Sequence, residues 1–364
     1  MSTKPEFHGS DLEKIEEYYG IPKESIISFG ANVNPLGLSE NVKEDIRQNL
    51  DIISSYPDRE YQSLRRAIGD YCSVSPDHVL VGNGSTELIS LLIGQRCPKK
   101  TLILGPTYSE YARELSFSDS TQEYYHLTPD NGFSLVLADF LKKLKESFDL
   151  LIICNPNNPT SSVIKTDDMR QILAACLDTN TFVMIDETYV EFAPDISEVT
   201  AMSFVQEFDN FMVLRGISKF FAAPGLRLGY GVTSNQAFLE RVKEHQIPWS
   251  LNSIGAFAGE RMLRDHEYIS KTRDLILSER DRMQKELKKL KNITVFDAYA
   301  NFILIQLHKD GITAPDVFEA CIRQGLMIRD CSSFQCLEGE YVRFCVMMPE
   351  DNTRLLHILK ELLG

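Results

Sequence analysis

Nowhere in this sequence do about 18 apolar residues run together, the length a membrane-spanning helix needs. The N-terminal stretch MSTKPEFHGSDLEKIEEYYG has no apolar core of the kind a secretory leader uses. No Cys-x-x-Cys pair occurs, and the eight cysteines (Cys72, Cys97, Cys154, Cys176, Cys321, Cys331, Cys336, Cys345) are scattered, several within apolar runs such as DLLIICNP. That spacing argues against a metal site and for reduced thiols in a cytoplasmic protein. Positive charge is also short: 38 lysines and arginines face 52 aspartates and glutamates, a formal net charge of −14. Such a field argues against nucleic acid or an anionic membrane as partner, and any phosphate-bearing ligand must be held by locally placed donors. Repeats, low-complexity tracts and long linkers are absent as well.

What remains is an ordinary globular composition, 43% hydrophobic and 25% charged over 364 residues, enough for a large core and two domains. Short apolar strand candidates recur at 78–81, 101–104, 122–127, 149–154, 181–186, 211–215 and 228–233. Most are nearly continuous in hydrophobicity, as strands covered on both faces by helices are. Amphipathic segments lie between most of them, such as ELISLLIG, YSEYARELSF and TDDMRQILAACLD. The alternation predicts an α/β layered domain with a mostly parallel sheet of about seven strands. From about residue 252 a long charged and apolar helical run begins, with a candidate break near Asp265–His266. It leads to strand candidates at 300–307, 325–330 and 340–346, with helices at 314–325 and at the end of the chain. The division expected is an N-terminal segment at 1–45 packing against the small domain and the active site, a large domain at 46–255, and a spanning helix with a small α+β domain at 256–364.

Four stretches follow expected strands, where open α/β sheets gather their ligand sites. VGNGSTE (81–87) offers close backbone approach and the donors of Ser85 and Thr86 at a helix start, a phosphate cradle or simply a tight turn. CNPNNPTS (154–161) projects asparagine amides from a proline-fixed loop. VMIDETYVEF (183–192) ends a strand on Asp186, a helix cap or a charge set against a ligand, with Tyr189 three residues on. LRGISKFFAAPGLRLGYG (214–231) holds Lys219 among apolar neighbours, with Ser218 before it and Arg227 beyond. An unpaired ammonium is costly to bury. Pyridoxal 5'-phosphate answers all four at once, because it needs a lysine for an imine bond, a carboxylate at its pyridine nitrogen, donors to its phenolic oxygen, an aromatic face and a phosphate cup.

SKFFAAPGLRLGY, NPNNPT, DETYVEF and GNGSTE resemble the motifs of the class I/II aminotransferase group of fold-type-I pyridoxal-phosphate enzymes, across essentially the whole chain. The resemblance implies that fold, with Lys219 bonded to the cofactor and moving protons at Cα. It implies Asp186 at the pyridine nitrogen, Asn157 and Tyr189 at the phenolic oxygen, and Tyr108 stacked on the ring. Ser85, Thr86, Ser218 and Arg227 would hold the phosphate. Tyr56 would reach the neighbouring subunit's cofactor phosphate, which implies a homodimer with shared active sites.

GANVNPLG and YPDREYQSLRRAI are similar to the branch holding histidinol-phosphate aminotransferases and the threonine-phosphate decarboxylases of cobalamin synthesis, both acting on small phosphorylated amines. FHGSDL (7–12) resembles the His-Gly-Gly-Asn/Asp element of the decarboxylases, although Ser10 replaces the second glycine. By that resemblance His8, Gly9, Asn32, Asn157, Arg329 and Arg343 line the substrate site, the arginines as two-point anion binders. Decarboxylation of O-phospho-L-threonine to (R)-1-amino-2-propanol phosphate is the reaction expected. Histidinol-phosphate amino transfer with 2-oxoglutarate and glutamate is the alternative.

Overall fold

The apolar runs of the first two thirds of the chain become the strands of one sheet. In the computed structural model, which describes Phe7 and residues 9–364, β1 (Ile27–Ser28) precedes β2 (Val79–Asn83), β3 (Lys100–Gly105) and β4 (Thr121–His126). Then come β5 (Leu150–Cys154), β6 (Phe182–Asp186), β7 (Phe211–Gly216) and β8 (Leu228–Val232). β2 to β8 form a seven-stranded sheet in the order β2-β8-β7-β6-β5-β3-β4. Its pairs are parallel except the two made by β8, which is antiparallel to β2 and β7. Helices and short turns fill the connections, so the sheet is sandwiched. Along β5, Leu151 and Ile153 join one apolar cluster, while Leu150, Ile152 and Cys154 join the cluster on the opposite face. This is the two-residue alternation of a strand with both faces buried. Polar β4 lies at the edge, its residues half-buried or exposed.

Between β3 and β5 the chain reverses its direction across the sheet: β4 was added on one side of β3, and β5, β6 and β7 follow on the other. The loops leaving the carboxyl ends of β3 and β5 part at such a point and leave a crevice.

The helical run after residue 252 is two helices, Ser253–Met262 and His266–Leu287, split where the sequence suggested. Asp265 caps the second: its Oδ1 accepts from the Tyr268 amide at 3.1 Å, and its Oδ2 accepts from the Ser39 hydroxyl at 2.5 Å. Beyond it come β9 (Ile293–Val295), β10 (Phe302–Leu307), β11 (Leu326–Met327), β12 (Arg329–Asp330) and β13 (Tyr341–Cys345). β12-β13-β10-β9 is an antiparallel sheet, and the single strand expected at 325–330 is two, because β11 leaves that sheet to pair in parallel with β1. Through that pair the segment before residue 45 joins the C-terminal part of the chain. All eight cysteines are free thiols. Among the described residues, no helix is long and apolar enough to cross a membrane.

Removing the Asp265 cap should cost roughly 1–2 kcal/mol of stability. Asp265→Ala is therefore expected to lower the urea midpoint at unchanged m, and Asp265→Asn, which keeps a cap acceptor, should lower it less.

Candidate active site

The crevice is a cavity of about 460 Å³. One wall is the start of the helix Gly84–Arg96, whose first amides have no helical partner. Two glycines allow the close approach. Gly84 has φ of +80°, and a Cβ there would collide with the Arg227 guanidinium. A Cβ on Gly229 of β8 would collide with the Ser85 amide nitrogen. Ser85, Thr86, Ser218 and Arg227 all line the cavity, with Arg227 packed against the helix start, a set of amide, hydroxyl and guanidinium donors suited to a phosphate.

Asp186 ends β6 and is buried. Its Oδ2 accepts from the Tyr111 hydroxyl at 2.7 Å, and its Oδ1 accepts from the Thr188 amide at 2.9 Å and hydroxyl at 2.5 Å. Burial pushes its pKa up, and those three donors pull it back. Tyr108 meets Tyr111 edge-on with ring centroids 5.6 Å apart, and burial pushes its hydroxyl up to about 12. Tyr189 is buried, and its oxygen accepts from Asn32 Nδ2 at 3.3 Å. Beneath this loop Arg215 donates to Glu187 Oε2 from Nε at 3.0 Å and Nη2 at 2.7 Å, a buried pair that holds residues 187–192 against β7.

Lys219 donates from Nζ to the Ala31 carbonyl at 2.7 Å. Desolvation first, and then the positive charge of Arg343, pull its pKa down to about 8. Arg343 is only 5% exposed. It donates to Asn158 Oδ1, and from Nη2 to the Gly30 carbonyl at 2.7 Å, while its Nε is buried without a partner. Its cross-strand neighbour on β12 is Arg329, which donates to the Phe7 carbonyl and to Ser333 Oγ at 2.8 Å.

Lys219, Ser85, Thr86, Tyr108, Asp186, Tyr189, Ser218, Arg227, Gly9, Asn32, Arg329 and Arg343 all line this one cavity. Asn157 does not, which corrects the role expected for it at both cofactor and substrate. Its Nδ2 donates to the Pro106 carbonyl and Thr160 Oγ1, each at 2.8 Å, and its Oδ1 accepts from Thr107 Oγ1 at 2.9 Å. The amide is spent inside the loop, and Asn158 stands in the cavity instead. Tyr56 also lies elsewhere, 82% exposed beside Trp249 in a separate groove. His8 lies outside the described residues. Tyr111, Thr188 and the carbonyls of Gly30 and Ala31 were missed. Backbone acceptors leave no mark in a sequence, but Tyr111, one helical turn after Tyr108, could have been noticed.

A strand-end carboxylate, a lysine with a lowered pKa and a glycine-built anion cup on a doubly covered sheet define a fold-type-I enzyme, and they fit pyridoxal phosphate. The chain belongs to the aminotransferase class I and II family, whose model matches residues 24–359, and it is pyridoxal-phosphate dependent. It is 32% identical over 356 residues to the threonine-phosphate decarboxylase of Salmonella typhimurium, covering 98% of this chain and 96% of that one. To the histidinol-phosphate aminotransferase of Methanothermobacter thermautotrophicus it is 34% identical over 366 residues, covering 99% and 95%. The solved histidinol-phosphate aminotransferase of Clostridium acetobutylicum superposes with a TM-score of 0.85 at 29% identity, covering 92% of this chain and 98% of that one.

Two outcomes follow from this geometry. Gly229→Ala should force the helix start away from Arg227 and weaken cofactor binding by about tenfold or more, measured by titrating cofactor-free protein, with near-native circular dichroism. Only the neutral amine of Lys219 attacks an aldehyde, so the rate of cofactor uptake should rise with pH to a midpoint near 8. Arg343→Gln removes a neighbouring charge that disfavours the ammonium, and should move that midpoint upward; stopped-flow absorbance reads both.

Proposed function

We propose that this enzyme decarboxylates O-phospho-L-threonine to (R)-1-amino-2-propanol phosphate. The observation that carries the reading is the pairing of Arg329 with Arg343 across β12 and β13 at the cavity wall. Like charges directly opposite each other destabilise a sheet, and buried Arg343 is held by an amide oxygen and a backbone carbonyl, with no carboxylate ion pair among the described residues. Two anionic groups on one small ligand offset that cost. O-phospho-L-threonine has a carboxylate on Cα and a phosphate further out, whereas histidinol phosphate has no carboxylate. Arg343, whose charge acts on Lys219, suits the carboxylate next to the reacting carbon. Arg329 lines the same cavity, held by the Phe7 carbonyl and Ser333 Oγ, and suits the phosphate.

Bound pyridoxal phosphate would supply an electron sink for the Cα bond that breaks. In this reading the two arginines hold the substrate at both ends and so select the Cα–carboxylate bond for cleavage. Carbon dioxide leaves without its bonding electrons, and Lys219 delivers a proton to Cα. Asp186, buried and fixed by three donors, is the carboxyl that would stand at the cofactor's pyridine nitrogen. Amino transfer from histidinol phosphate is the second reading, and the similarity to the Methanothermobacter enzyme supports it. The proposal includes a homodimer: Ile53, Tyr56 and Trp249, all exposed, line one groove suited to a second copy.

Purified enzyme given O-phospho-L-threonine alone should release carbon dioxide and the amino-alcohol phosphate in equal amounts. Glutamate formed from histidinol phosphate and 2-oxoglutarate, with no carbon dioxide from O-phospho-L-threonine, would overturn the proposal.

A further inference from the structure

We infer that an aromatic latch outside the cavity, made by Phe7, Tyr19 and Phe318, positions Arg329 and thereby sets selectivity for a phosphorylated ligand. The inference rests on reading Arg329 as an anion anchor. Arg329 is a long side chain at the cavity wall, and a guanidinium free to sample its rotamers binds an anion weakly, because ordering it costs entropy on every binding event. One of its N–H groups donates to the backbone carbonyl of Phe7. Where that carbonyl stands depends on the ring of the same residue. The Phe7 ring is stacked on Phe318 at 5.8 Å and 9°, lies 6.1 Å from Tyr19, and meets Tyr18 edge-on at 5.8 Å.

The receiving surface is firm. Phe318 is buried in the helix Ala314–Ile322, which begins with a reciprocal cap between Thr313 and Asp316 and packs against β11, β12 and β13. The neighbouring Glu319 accepts from the Tyr19 hydroxyl at 2.6 Å, which ties the helix Leu12–Tyr19 to the same helix. Past the latch, Gly9 lies flush on Gly30: a Cβ on Gly9 would collide with the Gly30 carbonyl oxygen, and Ser28 donates to the Gly9 carbonyl at 3.1 Å. Gly30 is the residue whose carbonyl holds Arg343, and the Ala31 carbonyl after it holds Lys219. The latch therefore fixes the Phe7 carbonyl that holds Arg329, and Gly9 packs on the residue that holds Arg343, although none of the three rings lines the cavity. Phe7, Tyr19 and Phe318 are positioning residues.

The test uses holoenzyme, with dissociation constants for O-phospho-L-threonine and L-threonine read from cofactor absorbance. Phe7→Ala and Phe318→Ala should each weaken O-phospho-L-threonine by about tenfold, with L-threonine changed less than twofold and the resting cofactor spectrum unaltered. KM should rise more than kcat falls, and Phe7→Tyr should restore the ratio. Phe7 is only half-buried whereas Phe318 is buried, so the Phe7 variant keeps the test sound if Phe318→Ala does not fold. An unchanged ratio, or equal loss for both ligands, would overturn the latch. Wild-type enzyme that binds the two ligands equally would overturn it together with the phosphate reading. Amino transfer in place of decarboxylation would overturn the proposed reaction alone, because the latch is read from binding.

Discussion

Lys219 and Arg343 put two cationic groups at one cavity, and neither forms an ion pair with a carboxylate among the described residues. Backbone carbonyls on adjacent residues, Ala31 and Gly30, hold them. Carbonyl dipoles orient a cation without neutralising it, so the cavity keeps an unspent positive field inside a chain of net charge −14. Desolvation, and after it the charge of Arg343, lowers the pKa of the lysine, and the arginine's Nε is buried without a hydrogen-bond partner. An anionic ligand completes the arrangement, and the remaining architecture serves to hold the two cations where such a ligand can meet them.

Three parts of the chain meet to do so. The seven-stranded sheet contributes Asp186 from β6 and, from the loop after β7, Lys219. The four-stranded sheet contributes Arg329 and Arg343 as cross-strand neighbours. The segment around residues 28–32 runs between them, paired to β11 through β1 and bonded to Asn301 through the Asn32 carbonyl at 3.0 Å. Arg280, buried in the helix His266–Leu287, adds a staple by donating to the carbonyls of Phe192 at 2.9 Å and Ala300 at 2.8 Å. The two arginines proposed for the substrate and the groups that fit the cofactor thus come from different sheets, and the connecting segment carries the acceptors for Lys219 and Arg343.

The strands of the large sheet were legible because strands buried on both faces need unbroken apolar runs, and such runs are conspicuous. The split at Asp265 was legible because an aspartate before a new periodic run is a cap. The two strands within 325–330 were not, since pairing with β1, some 300 positions earlier in the chain, pulls two residues out of an apolar stretch that looks continuous. Asn157 and Asn158 are chemically identical in sequence; the turn geometry alone sends one amide into the loop and the other into the cavity. Tyr56 looks like a site residue by its motif, yet its exposed position in one chain gives it no contact with the cavity.

The sequence by itself determined the chemistry available: a lysine set among apolar residues, a carboxylate at a strand end, a glycine-rich helix start and two arginines near the C-terminus. These depend on residue type and local spacing, which a chain carries wherever it goes. Only the tertiary structure decided which groups share a cavity. The register of β12 on β13, the contact of Gly9 with Gly30 and the docking of Phe7 on Phe318 are matters of distance between segments far apart in the chain. Hydrogen-bond energies fall off within a few ångströms, so that distance, and not the residue list, brings two arginines to one cavity wall.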